Sequence, residues 1–224
     1  MMRWNGKMAN ARIGLMAAGA LALGGCSLSL TPELPPSLLT LTPDTVAPQG
    51  TTAQTGAQNG VLSIAVQTPE VPAKLNVTRV PVTVSATEVA YLQDAVWVEK
   101  PARLFRNLLG EALRADIGVF VLDSDDTPTL PDMTLRGTLR EFGYDAATST
   151  VIIRYDAVRT SGPDGAVATK RFEARESGVV AETASVGPAL NRVANTVAGE
   201  VAQWMTARRS IVPSAPPVMN NTSE

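Results

Sequence analysis

Residues 133–177 read MTLRGTLREFGYDAATSTVIIRYDAVRTSGPDGAVATKRFEARES. Apolar and polar residues alternate through this stretch, as they do in strands with one buried face. The alternating apolar residues are Met133, Leu135 and Leu139, then Val151, Ile153, Tyr155 and Ala157. Phe142 and Tyr144 shift the phase, which predicts a bulge. A turn sequence at residues 161–165 leads into a charged strand over 167–177, so the pattern predicts an antiparallel meander of three strands.

The clearest helix of the sequence follows this meander. Apolar residues recur every three or four positions through residues 186–205, which places them on one face of an α-helix. Ser185 is a suitable N-cap and Pro188 fits the first turn. Residues 210–224 are rich in proline and predict a disordered tail.

Short strands and one further helix precede the meander. Alternation predicts strands over residues 61–67, 80–84 and 88–94, and an apolar run predicts a buried strand over 118–122. The second of these should be an edge strand because Pro81 has no N–H to donate. A helix begins at Pro101 and carries an apolar stripe to Leu113. The chain therefore predicts an α+β fold: a mostly antiparallel or mixed sheet with two amphipathic helices packed on it, in one compact domain over residues 61–209.

The first 25 residues have the anatomy of a bacterial signal peptide. Three basic residues precede an apolar run at positions 13–23, which is shorter than the roughly 20 residues that cross a bilayer as a helix. Leu23, Gly24 and Gly25 then precede Cys26, and together they form a lipobox. Cleavage before Cys26 would leave its thiol to carry a diacylglycerol and its amine to carry a further acyl chain.

Several points about this N-terminus stay open. An ordinary signal peptide with an incidental cysteine is the alternative to lipidation, and translation could start at Met1, Met2 or Met8. Ser27 stands where an aspartate would retain a lipoprotein in the inner membrane of enteric bacteria. We therefore expect the protein to be anchored at the periplasmic face of the outer membrane, with the inner membrane as the alternative location.

Residues 26–60 would connect the anchor to the domain. They are rich in Pro, Thr, Gln and Gly, a composition that buries too little apolar surface to order itself. This predicts a flexible tether. Within it, residues 37–42 read SLLTLT between prolines and predict a short strand that docks back on the domain, with a plain linker segment as the alternative.

The amino-acid composition excludes many kinds of catalytic and cofactor-binding site. The 224 residues include no histidine and one cysteine, which excludes histidine bases, His- or Cys-based metal sites, CxxC motifs and internal disulfides. The common nucleotide-binding and serine-nucleophile motifs are absent. The 19 basic and 21 acidic residues nearly balance and aromatics are few, so a nucleic-acid surface is not expected. We expect a protein that is not an enzyme and holds no cofactor or metal.

Two acidic groups are weak candidates for chemistry. The acidic loop 123–126 could attract calcium, although a solvated loop is the stronger interpretation because the remaining ligands of a calcium loop are missing. Glu141, Asp145 and Asp156 could act as acid and base. The stronger interpretation is that they form solvated ion pairs with arginines of the same strands.

Two aromatic residues ahead of the first helix are candidates for contact with a partner. Tyr91 and Trp97 are of the types that dominate the binding energy of protein interfaces. For Trp97, a place in the core between helix and sheet is the stronger alternative.

Segments spread over residues 26–205 carry a family resemblance. They are the lipobox Cys26, the prolines and leucines of 35–43, the VQTPEV motif of 66–71, Tyr91, the WVEKP motif of 97–101, and the helix and the GVFV strand that follow. Together they resemble the ABC-type transport auxiliary lipoprotein family, which includes the paraquat-inducible protein C type. In that family, Tyr91 and Trp97 would match an aromatic segment before the first helix.

The resemblance implies a periplasmic accessory subunit that acts by docking. Its partners would be an ABC permease, its ATPase and an MCE-type lipid-binding protein, which move lipids between the membranes; oligomerisation is left open. Two other functions remain as alternatives. One is a structural or assembly lipoprotein that escorts an outer-membrane barrel or secretin, and the other is a hydrolase that uses carboxylates.

Overall fold

A computed structural model describes residues 37–48, 50, 62–116, 119–122, 130–161 and 165–207. In chain order its elements are β1 (Leu62–Val66), β2 (Arg79–Ser85), β3 (Glu88–Val96), α1 (Pro101–Arg114), β4 (Val119–Leu122), β5 (Met133–Asp145), β6 (Thr150–Ser161), β7 (Ala166–Ser177) and α2 (Thr183–Thr206). A single 3₁₀ turn, Ala73–Leu75, precedes β2. No helix among the described residues is long and apolar enough to cross a membrane.

Strand β5 is the axis of a seven-stranded mixed sheet. One edge of β5 pairs antiparallel with β6, which pairs in the same way with β7. The other edge is shared: β1 pairs in parallel with the start of β5, and β2 pairs in parallel with its end. β4 lies beside β1, and β3 forms an antiparallel hairpin with β2. The predicted meander and α+β class are confirmed.

The bulge predicted in the meander is present. The β5–β6 register shifts between Leu139 and Glu141, so Leu139 and Phe142 both face the core although they are three positions apart. An alternating strand without a bulge would have turned one of the two toward solvent.

The prediction that β2 is an edge strand is wrong. β2 lies between β3 and β5. Proline is tolerated in this interior strand because β5 pairs with β2 only at Val82 and Thr83, just past Pro81. Gly143 of β5 allows the close approach there, since a side chain at that position would clash with the carbonyl oxygen of Pro81.

Both helices cover the same face of the sheet. Tyr155 of β6 and Phe172 of β7 lie opposite each other in the register. Phe105 of α1 packs edge-on against Tyr155 at 5.3 Å between ring centroids, and Trp204 of α2 packs edge-on against Phe172 at 5.7 Å. The core therefore lies between this face and the two helices.

Helix α2 starts earlier than predicted. Its N-cap is Glu182 in an extended conformation, and Ser185 lies inside the first turn. The second helix thus gains residues at its N-terminus without losing the buried apolar stripe that identified it, which includes Val186, Leu190 and Val193.

Candidate functional site

The predicted lipidation site lies outside the described residues, as Cys26 and the lipobox residues Leu23, Gly24 and Gly25 all precede residue 37. The acidic loop 123–126 and the tail 210–224 also lie outside them. Of the predicted tether, the structure describes residues 37–48 and residue 50.

Residues 37–48, which we call the strap, dock onto the domain. The Leu39 N–H donates to the Val96 carbonyl at 2.7 Å, and the Leu39 carbonyl accepts from the Val98 N–H at 2.8 Å. These bonds form one β-bridge between Leu39 and Trp97. Where the sequence predicts a strand over 37–42, the structure has this single bridge, with Leu39 and Leu41 packed against the core.

Two asparagines of α2 hold the second half of the strap. The Thr42 N–H donates to Asn191 Oδ1 at 2.8 Å, and the Asp44 N–H donates to Asn195 Oδ1 at 2.9 Å. Asn195 Nδ2 donates back to the Thr42 carbonyl at 2.9 Å. Gly187 lies one turn earlier, beside the Leu39 side chain. The sequence alone did not predict that these α2 residues bind the strap. Their only signal is a four-residue spacing, which places Gly187, Asn191 and Asn195 on one face of the helix.

A groove of about 490 Å³ lies beside the strap. Strap residues 43–45 form one part of its lining. Small residues of α1, its C-cap and α2 form another part: Ala112, Ala115, Gly199 and Ala202. The strap therefore contributes to the shape of the surface between α1 and α2.

Trp97 is a core residue. Its side chain is 1% exposed and stacks on Phe142, with ring centroids 5.3 Å apart and an angle of 19° between the rings. Its backbone N–H donates to the Thr78 carbonyl at 2.7 Å. The indole Nε1 is buried and has no hydrogen-bond partner among the described residues. This burial corrects the idea of Trp97 as a surface contact, because a partner could not reach the ring without unpacking it.

Tyr91 keeps part of its surface accessible. It lies on β3, half-buried, and the guanidinium carbon of Arg79 stands 5.1 Å from its ring centroid. The β2–β3 register shifts between the pairs Arg79–Val96 and Pro81–Tyr91, with extra residues on β3 that include Asp94 at a positive φ. The structure thus gives Tyr91 and Trp97 different neighbours on the two sides of a bulge.

The three carboxylates considered for acid–base chemistry are each engaged by other groups. Glu141 accepts from Lys74 Nζ at 2.6 Å. Asp145 Oδ1 accepts from the N–H groups of Ala147 and Thr148 at 3.0 and 3.1 Å, which closes the β5–β6 turn. No cluster of three or more acidic or sulfur side chains that could hold a metal occurs within the described ranges.

Asp156 is the most strongly perturbed of these carboxylates. Arg171 donates to it twice, from Nε at 2.6 Å and from Nη2 at 2.9 Å, and Arg140 Nε donates at 3.0 Å. The hydrogen bonds from Arg171, followed by those from Arg140 and the charges of both, lower the pKa of Asp156 to about 2. Ion pairing therefore keeps this carboxylate ionised, and a general acid needs the opposite.

A second shared carboxylate lies next to this one. Glu173 accepts from Arg154 of β6 and from Arg175 of β7, the latter at 2.6 Å. The hydrogen bonds from Arg154, and then those from Arg175, lower the pKa of Glu173. Asp156 and Glu173 thus each lie between two arginines on the sheet face that points away from the helices.

The class that this architecture defines is an α+β domain with a mixed sheet, covered on one face by two helices and closed at one side by an N-terminal strap. Residues 40–202 match the family described as ABC-type transport auxiliary lipoprotein component. The chain belongs to this family, so the resemblance found in the sequence is confirmed. No curated protein matches the sequence.

Solved structures share the fold. A crystal structure of a Xanthomonas campestris protein of the DUF330 family is 19% identical, with a TM-score of 0.59, and the match covers 75% of this chain and 92% of that one. A crystal structure of an uncharacterized protein is 14% identical, with a TM-score of 0.57, over 76% of this chain and 100% of the other. At such identities the likeness establishes the fold alone.

Proposed function

We propose that this chain is the lipid-anchored periplasmic auxiliary subunit of an ABC/MCE-type system that transports lipids between membranes, and that it acts by docking to other subunits. Family membership over residues 40–202 carries the proposal. The partners would be the permease, the ATPase and the MCE-type protein. The lipobox at Cys26 supports the anchor, and Ser27 favours the periplasmic face of the outer membrane.

The strap bears on how such an anchor would work. Ten residues, 27–36, separate Cys26 from the first strap residue. An extended chain of this length spans at most about 35 Å. Because Leu39, Thr42 and Asp44 are held by hydrogen bonds, the docked strap would keep the domain within this distance of the membrane.

The domain would act without a chemical step of its own. Lys74 engages Glu141, the turn amides engage Asp145, and two arginines engage Asp156, which supports structural roles for these carboxylates. Replacing all three with their amides should therefore leave lipid transport unchanged once the variant is shown to fold. Loss of transport by a folded triple variant would favour the hydrolase alternative.

Co-purification from membranes tests the docking role. Full-length tagged protein should recover the permease, the ATPase or the MCE-type protein of the transport system whose genes adjoin its own. An unrelated tagged lipoprotein of the same membrane serves as the control. Recovery of an outer-membrane barrel or secretin in place of these subunits would contradict the proposal and support the assembly role.

A further inference from the structure

The sheet face opposite the helices carries a set of arginines that the core does not use. Because side chains alternate along a strand, the residues next to buried Leu135, Tyr155 and Phe172 point to this opposite face. We call it the arginine face, and its charged residues are Arg136, Arg140, Arg154, Asp156, Arg171, Glu173 and Arg175. It spans β5, β6 and β7.

The charges of the arginine face do not balance. Five guanidinium groups stand against two carboxylates, an excess of three positive charges, in a chain with 19 basic and 21 acidic residues. At the border, Lys74 and Glu141 neutralise each other. Glu70 lies at the other edge of β5, bridged to Thr138, and Asp145 lies at the end of β5, where its carboxylate accepts from the turn N–H groups of Ala147 and Thr148. The excess of three positive charges thus belongs to the seven named residues, on the stretch where β5, β6 and β7 pair.

The arginines keep donors for a further acceptor. Arg140, Arg171 and Arg175 have side chains 55%, 61% and 51% exposed, and each shares its carboxylate with a second arginine. Arg136 is exposed and has no ion-pair partner among the described residues. A guanidinium group has five N–H donors in a fixed plane, so one carboxylate leaves some of them unused.

We propose that the arginine face is the docking surface for a protein partner, and that the partner presents a patch of two or more carboxylates to it. The inference rests on the proposed docking function and adds the face and the chemistry of the partner. Strands β5, β6 and β7 hold the guanidinium groups in rows about 5 Å apart, and such a fixed array suits a folded acidic surface.

An anionic membrane is the competing occupant, and the composition of the face argues against it. Asp156 and Glu173 are fixed among the arginines, where they would repel lipid phosphates. The aromatic residues of these three strands, Phe142, Tyr144, Tyr155 and Phe172, all point into the core, so the face has no aromatic anchor for the lipid interface.

Two triple variants with the same change in charge test the proposal. The face variant carries Arg136→Gln, Arg140→Gln and Arg175→Gln; it leaves Arg171 on Asp156 and Arg154 on Glu173, so neither carboxylate is stranded. The control variant carries Lys100→Gln, Arg103→Gln and Lys170→Gln, which lie at α1 or on the helix side of β7. Circular dichroism and thermal unfolding check that both variants fold.

Binding of full-length protein in detergent to the purified MCE-type protein and to the permease complex is then measured at several salt concentrations. We expect the face variant to bind one of them at least tenfold more weakly, the control variant to bind like wild type, and salt to weaken the wild type most. Equal binding by wild type and face variant would overturn the assignment of the arginine face as the docking surface, but it would not contradict the docking function. No binding by wild type to any subunit would overturn the proposed function, and the face with it.

The membrane alternative has its own measurement. The processed Cys26→Ser chain, without residues 1–25, is mixed with vesicles of phosphatidylglycerol and phosphatidylethanolamine, so that neither acyl chains nor the apolar run 13–23 can contribute. We expect no difference between Cys26→Ser alone and Cys26→Ser combined with the face variant. Vesicle binding that disappears in the face variant would overturn the proposal in favour of a lipid surface.

Discussion

Gly187 of α2 lies directly against Leu39 of the strap: a Cβ atom at position 187 would stand 2.7 Å from Leu39 Cδ2. Packed protein interiors do not accommodate two carbon atoms at that distance, so the leucine must move if the glycine is replaced. Gly199 lies on the same helix, and the space where its Cβ would be is open. The two glycines form a matched pair that isolates the contribution of the strap.

We expect Gly187→Ala and Gly199→Ala to differ in stability. Alanine at 199 should raise the free energy of unfolding by about 0.5–1 kcal/mol, because glycine loses more backbone entropy in a helix. Alanine at 187 should gain less, since Leu39 is displaced, and the Leu39 amide should exchange its hydrogen faster. Denaturant unfolding and hydrogen exchange measure both effects. Equal stabilisation with unchanged protection at Leu39 would contradict this packing.

Asn195→Ala should loosen the second half of the strap. The side chain bonds both the Asp44 N–H and the Thr42 carbonyl, and removing it should lower the free energy of unfolding by about 1 kcal/mol. Thr196→Ala is the control, since its hydroxyl donates only to the Arg192 carbonyl of the same helix. Limited proteolysis should cut the strap faster in Asn195→Ala than in Thr196→Ala. Identical cleavage of the two variants would show that Asn195 does not hold the strap.

The elements that could be predicted from sequence are those in which buried residues recur at regular spacing within the element itself. The strands of the meander and the stripe of α2 have this local periodicity, and so does the phase shift at Phe142. The interior position of β2 has no such pattern, because it depends on Gly143, a residue far along the chain that makes room for Pro81. Without that information, Pro81 by itself predicted that β2 is an edge strand.

Long-range polar contacts could not be predicted for the same reason. Asn191 and Asn195 look like ordinary helix-surface residues until the strap, about 150 positions away, lies beside them. Arg159 is a similar case: Nη1 donates to the Trp204 carbonyl at 2.7 Å, and its guanidinium carbon lies 4.8 Å from the Trp204 ring centroid. Alternation gives the side of the sheet on which such residues lie, but not their partners.

Tyr155→Phe should stabilise the protein. The Tyr155 hydroxyl is buried without a hydrogen-bond partner in the described structure, and burial raises its pKa. Leaving such a group unpaired costs roughly 1–3 kcal/mol, so phenylalanine should raise the free energy of unfolding by about 1 kcal/mol while keeping the ring contact with Phe105.

Tyr144→Phe is the control for this change and should have the opposite sign. The Tyr144 hydroxyl donates to the Val179 carbonyl at 2.8 Å, and losing that buried bond should lower stability by about 1 kcal/mol. Urea unfolding of both variants gives the two differences. A loss of stability in Tyr155→Phe as large as in Tyr144→Phe would mean that the Tyr155 hydroxyl has a partner.

Asp156→Asn should make the free energy of unfolding depend less on pH in the acid range. The folded pKa of Asp156 is lowered to about 2, first by Arg171, whereas an unfolded aspartate titrates near 3.9, a standard value for peptides. The unfolded chain therefore binds this proton first, so the stabilisation is complete above about pH 4 and is lost as the pH falls toward 2.

The measurement is urea unfolding of wild type and Asp156→Asn between pH 5 and 2. The wild-type free energy of unfolding should fall more steeply, because only wild type loses the Asp156 contribution. Glu173 and Glu176, whose pKa values Arg154 and Arg192 lower, remain in both proteins and act equally in each. Parallel curves would show that Arg171 and Arg140 do not stabilise the folded state through Asp156.

Cys26→Ser should release the protein from membranes. Cys26 is the only cysteine of the sequence, and acyl chains on it would contribute about 0.8 kcal/mol per buried CH₂, enough for two or three chains to anchor the domain almost permanently. Cell fractionation should find Cys26→Ser outside the membrane fraction and Ser27→Ala, which keeps the thiol, inside it. Mass spectrometry of the wild-type N-terminus should show the added acyl mass. Because loss of the thiol can also block cleavage, the processed form is the one to follow: a processed Cys26→Ser chain that stays on the membrane would mean that something other than the thioether holds it there.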